Sequence, residues 1–142
     1  MTKSQRFKPI QKIAEKKERD AASVFGQSLR DRDEAQKRLQ DLEHYLDEYL
    51  QRFNQASRQG IGAERIRDYQ VFIDKLETAI REQKRVLLEV QERCDDSKAQ
   101  WHGHFTKVRA VDNAVERMRD DELKVREKKE QAHSDEHGQR RR

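Results

Sequence analysis

From Ile66 to Ala132 the chain places residues of one stripe at alternating intervals of three and four, and a short glycine-bearing turn stands just ahead of that run. The stripe reads Ile66, Tyr69, Ile73, Leu76, Ile80, Gln83, Leu87, Val90, Cys94, Ser97, Trp101, His104, Val108, Val111, Val115, Met118, Glu122, Val125, Lys129, Ala132. Only Gln83, Ser97, His104, Glu122 and Lys129 interrupt its apolar character. A period of 3.5 residues, as opposed to 3.6, keeps one stripe against a partner helix and implies left-handed supercoiling. At about 1.5 Å per residue, such a helix reaches on the order of 100 Å. A compact domain has no use for that length. The pattern predicts a chain that spans a distance or presents a surface.

Composition limits the alternatives. With 42% charged and 32% hydrophobic residues in 142 positions, the chain can bury a narrow two-helix seam but not a globular core. Its mean hydropathy of -1.31 would suit a disordered chain, but disorder gives no reason for a seven-residue repeat. One Pro and five Gly leave few places to break a helix, which predicts a single elongated unit. The lone Cys94 falls on the stripe and reads as a small core residue in a reducing compartment. No apolar run approaches the roughly 20 residues of a membrane span, and no signal-peptide pattern opens the chain, so the expected location is cytoplasmic without membrane insertion. The net charge of +4 is unevenly spread. Lys3, Arg6, Lys8, Lys12, Lys16, Lys17 and Arg19 face only Glu15 and Glu18, and Arg140, Arg141 and Arg142 form a second basic cluster.

Pro9 suits the first turn of a helix, where its missing N–H costs nothing, and a first helix is predicted over 9–57. Its stripe is Phe7, Ile10, Ala14, Ala21, Val24, Ala35, Leu39, Leu42, Leu46, Tyr49, Phe53 and Ala56, with polar Lys17, Ser28 and Asp31 at seam positions. Around Asp31, Ala35 and Leu39 the spacing becomes 4-4, a stutter that relaxes the supercoil locally. A turn over 58–63 follows, in which Gly60 can take the left-handed cap and Gly62 lets the chain reverse. A second helix is predicted over 64–132, with a fraying tail over 133–142. Two long helices joined so tightly should fold back antiparallel, giving an all-α hairpin. Paired positions then sum to about 122: Phe53 with Tyr69, Tyr49 with Ile73, Leu46 with Leu76, Ala21 with Trp101, Phe7 with Val115. Beyond Asp120 a polar helix should overhang.

Little here suggests catalysis. The chain has no phosphate-binding glycine loop, CxxC pair or nucleophile elbow, and a two-helix rod offers no dry concave pocket, so no enzymatic activity and no cofactor are expected. His133 and His137, four apart around Asp135 and Glu136, could share a helical face toward a metal, but no third ligand is held nearby. His104, opposite Lys17, reads as a polar register position, Trp101 as core, and Gly26 and Gly103 as tolerated flexible points. One feature exceeds what a seam needs. Tyr45, Phe72 and Ala79 stand immediately before seam residues Leu46, Ile73 and Ile80, at flanking positions that coiled coils usually give to charges. With Leu42, Tyr49 and Leu76 they make an apolar stripe within about 25 Å of the turn, suited to an interaction surface.

Leu42-x-x-Tyr45-x-x-x-Tyr49, Gly60-Ile61, Tyr69-x-x-Phe72-Ile73-x-x-Leu76-x-x-Ala79-Ile80-x-x-Gln83 and the later Trp101 together resemble the flagellar FliJ family. The resemblance runs from Arg6-Phe7 to Asp135-Glu136. It implies a soluble antiparallel coiled coil of the flagellar type III export apparatus, similar in shape to the central stalk of rotary ATPases. Its implied partners are the hexameric export ATPase, the cytoplasmic domain of the export-gate membrane protein, and export chaperones. It implies a gate-binding patch at Leu42, Tyr45, Tyr49, Phe72, Leu76 and Ala79, with Arg38 and Gln83 at two further positions. The ATPase contact is implied at the open end of the hairpin, where electrostatics suggest Lys12, Lys16, Lys17 and Arg19. Two other readings remain: a structural homo-oligomer, which sedimentation would reveal, and a nucleic-acid binder, disfavoured because its basic stretch has little aromatic interleaving.

Overall fold

The computed structural model describes residues 1–140; Arg141 and Arg142, the last of the closing arginines, lie outside the described residues. Two helices, α1 over Lys3–Gln59 and α2 over Ala63–Arg140, pack against each other as a helical hairpin, and no strand occurs among the described residues. The all-α class expected from the heptads is therefore the observed one.

The start of α1 differs from the Pro9 expectation. Thr2 and Gln5 form a capping box: the Gln5 N–H donates to Thr2 Oγ1 at 3.4 Å, and the Thr2 N–H donates to Gln5 Oε1 at 3.1 Å. Two orphan donors are thus satisfied ahead of Pro9, which lies inside the helix. At the other end Gly60 adopts φ 84°, a left-handed conformation that a Cβ would penalise, and its N–H donates to the Ser57 carbonyl at 3.3 Å. Gly62 plays another part than the one expected. Its φ is not positive, and its carbonyl accepts the Ile66 N–H at 3.2 Å to open α2. α2 stays helical to Arg140, past the expected end at 132.

The chain groups into two compact units, one of Ser23–Lys98 and one of Met1–Ala22 with the α2 residues from Ala99 onward. In the Ser23–Lys98 unit, Ala35, Ile73, Leu76, Ile80, Val90 and Cys94 are buried. The Phe53 and Tyr69 rings meet at 5.5 Å, the pairing the two stripes predict. Polar seam residues are satisfied locally: Gln83 Nε2 donates to the Ala35 carbonyl at 3.0 Å, and the buried Ser97 hydroxyl donates to the Cys94 carbonyl at 3.0 Å.

In the other unit Ala14 and Val115 are buried, and four side-chain hydrogen bonds link the helices among the described residues. Ser4 donates to Glu122 through both its N–H (2.9 Å) and its hydroxyl (2.7 Å). Gln11 Nε2 donates to Asp112 Oδ1 at 2.7 Å, and the Trp101 indole N–H donates to Glu18 Oε1 at 2.9 Å.

These bonds correct the α1 stripe. Ile10 and Val24, expected in the seam, are 47% and 58% exposed, and Lys17 is exposed as well. The neighbouring Gln11, Glu18 and Phe25 are part-buried in their place. With part-buried Arg32 they stand seven apart and continue into Leu39 and Leu46 without interruption. The expected stutter near Asp31 is therefore unnecessary. Hydropathy favoured Ile10 and Val24, whereas side-chain hydrogen bonds carry Gln11 and Glu18 into the seam at little desolvation cost. On α2 the stripe follows the expected positions to Glu122, beyond which Val125 (53% exposed), Lys129 and Ala132 face solvent. α1 begins at Lys3, so these residues have no facing helix to cover them.

Candidate functional site

The turn-proximal edge is built by the residues that immediately precede seam positions on each helix. Tyr45 is 55% and Phe72 40% exposed. The Phe72 ring packs on Tyr49 at 4.2 Å, and Tyr49 in turn approaches Tyr69 edge-on at 6.4 Å. The Arg52 guanidinium lies 5.5 Å from the Tyr49 ring centroid, within cation–π range. A groove of about 290 Å³ opens here between Tyr49, Arg52, Arg65, Asp68, Tyr69 and Phe72. Neither arginine pairs with a carboxylate among the described residues.

The remaining patch residues fall at different depths. Leu42, Tyr49 and Ala79 are part-buried, whereas Leu76 is 8% exposed and belongs to the core. Arg38 is exposed, and Gln83 spends its amide on the Ala35 carbonyl. The structure thus gathers Tyr49 and Phe72 into one aromatic cluster with Arg52, the residue that the expected register sets across from Phe72, and adds Arg65, which the sequence reading missed. Arg52 also stands three residues after Tyr49, a spacing that places the two side chains on one helical face. Exposed rings beside an arginine have the composition of a protein-binding hot spot.

On the early part of α1, Lys12, Lys16, Lys17 and Arg19 are all exposed, and none pairs with a carboxylate among the described residues. Two acids near this stretch accept hydrogen bonds from other residues, Glu18 from Trp101 and Asp112 from Gln11. Farther along α2 the His133 and His137 rings stack at 6.4 Å, and no cluster of three or more metal-ligating side chains occurs among the described residues. Glu122 is held below the usual carboxylate range, chiefly by the Ser4 backbone N–H, then by the Ser4 hydroxyl, with Arg119 and Arg126 adding to the effect.

The fold defines a helical-hairpin protein, and what distinguishes its surface is one aromatic edge and one unpaired basic face. The sequence model of the family described as Flagellar FliJ protein matches residues 2–142, and the chain belongs to that family. It is 29% identical over 131 residues to the Flagellar FliJ protein of Escherichia coli (strain K12), covering 92% of this chain and 89% of that protein. The Flagellar FliJ protein of Salmonella typhi is 28% identical over 131 residues, with the same 92% and 89% coverage. No solved structure matches the chain significantly. Membership of this family makes the chain a component of the flagellar export apparatus.

Proposed function

We propose that the chain is a non-enzymatic stalk and adaptor in flagellar protein export. In this role it links the hexameric export ATPase to the cytoplasmic domain of the export-gate membrane protein and escorts export chaperones. It is held at the cytoplasmic face of the inner membrane by these partners. No helix among the described residues is long and apolar enough to cross a membrane, in keeping with attachment through proteins.

The observation that carries the reading is the exposure of Tyr45 and Phe72 on either side of a two-helix seam. Rings of that size at flanking positions leave apolar area in water that a partner can cover, at roughly 1.5–3 kcal/mol for each ring fully buried. The test is the double variant Tyr45→Ala, Phe72→Ala, measured for melting and for binding to the purified cytoplasmic domain of the export gate. Binding should fall by about a hundredfold or more, at about 1.4 kcal/mol per decade. Melting should shift only by the loss of the Phe72–Tyr49 ring contact, worth about 0.5–1.5 kcal/mol. Unchanged binding, or collapsed helicity with binding lost in proportion, refutes the assignment.

A further inference from the structure

Ile10 and Ile13 are 47% and 57% exposed. Their spacing of three puts both on one face of α1, with Lys17 four residues further on. Together with His104, Lys107 and Val111 of α2 they line a recess of about 110 Å³ alongside the seam. Its lining combines aliphatic Ile10, Ile13, Ala14 and Val111 with His104 and the two lysines Lys17 and Lys107. Neither of these lysines, nor the adjacent Lys12 and Lys16, pairs with a carboxylate among the described residues. Two acids of the seam, Glu18 and Asp112, already accept hydrogen bonds from Trp101 and Gln11. This face therefore offers apolar area and lysines without a close carboxylate partner together.

We propose that this recess receives an apolar anchor side chain from an acidic amphipathic helix of the export ATPase, which packs as a third helix beside α1 and α2. The partner's identity rests on the stalk reading above; the chemistry rests on the recess itself. A groove between two helices accepts the ridge of a third, which explains a helical occupant. An anchor in the recess supplies affinity, and carboxylates flanking it meet the lysine rim, which governs encounter rate and orientation. A purely electrostatic contact at Lys12, Lys16, Lys17 and Arg19 would leave Ile10 and Ile13 without a role.

Two variants of the full chain, tested against the purified export ATPase at low and high salt, separate these contributions. Ile10→Ser with Ile13→Ser should weaken binding by about tenfold or more at both salt concentrations, because burial of apolar area is not screened. Lys17→Glu with Lys107→Glu should weaken it mainly at low salt. Wild-type affinity in the isoleucine variant overturns the proposal. So does a large fall in its melting temperature, which would assign both residues to the packing of the hairpin. If the unaltered chain fails to bind the ATPase, the stalk reading falls and takes the named partner with it, a result distinct from binding that ignores Ile10 and Ile13.

Discussion

Glu122 shows how one side chain can close a helix that it does not belong to. Its two carboxylate oxygens accept the N–H and the hydroxyl of Ser4, in the first turn of α1, where backbone donors have no helical partner. An anion at a helix N-terminus is also favoured by the helix dipole. Because these bonds favour the charged form, the folded-state pKa lies below the unfolded one. The stabilisation is therefore fully present above the unfolded value, near 4.3, and is lost as pH falls through the lower folded value. Acid titration of hydrogen exchange at the first amides of α1 should show protection declining in that window. Glu122→Gln should remove most of that pH dependence while leaving the amides of Ser23–Lys98 unaffected. An equal acid response in the variant would mean that another carboxylate controls this end.

At the scale of the helices, the two stripes were unequally readable. The α2 stripe is apolar at most positions, so hydropathy alone located it from Ile66 to Glu122, and the Phe53–Tyr69 ring contact follows the register deduced from it. The first half of α1 was misread by one residue at Ile10, Lys17 and Val24, because Gln11 and Glu18 enter the seam through hydrogen bonds to Asp112 and Trp101. Hydropathy has no view of partners contributed by another helix. The capping box Thr2-x-x-Gln5 was present in the sequence, but Pro9 offered a competing start. The aromatic edge was legible from Tyr45 and Phe72 at flanking positions and from Arg52 across from Phe72 in the expected register, whereas Arg65 looked like an ordinary surface charge until the groove brought it beside them. The register has a direct consequence at Ala21, which is part-buried and which the expected pairing sets opposite Trp101. Ala21→Phe should overpack this stretch and cost about 1–3 kcal/mol, read as a lower midpoint in urea with the slope retained. A neutral result would mean the register is wrong there.

Across the whole molecule, stability is divided by chemistry. The Ser23–Lys98 unit contains six of the buried apolar residues, among them Ile73, Leu76, Ile80 and Val90, while the other unit has Ala14 and Val115 and depends on the Ser4, Gln11 and Trp101 hydrogen bonds. Regions with few buried apolar contacts open more readily than those with many. Cys94, 3% exposed, lies among the apolar group. Its sulfur can react only as a thiolate that solvent reaches, so an alkylating reagent must wait for the helices to part around it. The chain thus carries a built-in clock. The rate of Cys94 alkylation should be slow in the free protein and match exchange of the slowest amides between Ile73 and Val90. It should slow further when the gate domain occupies the Tyr45–Phe72 edge, because a partner bound to the closed form lowers the open population by mass action. Unchanged labelling at saturating gate domain would mean that the partner does not distinguish closed from open. The buried Cys94 thiol then becomes a stopwatch for the opening of the seam around it.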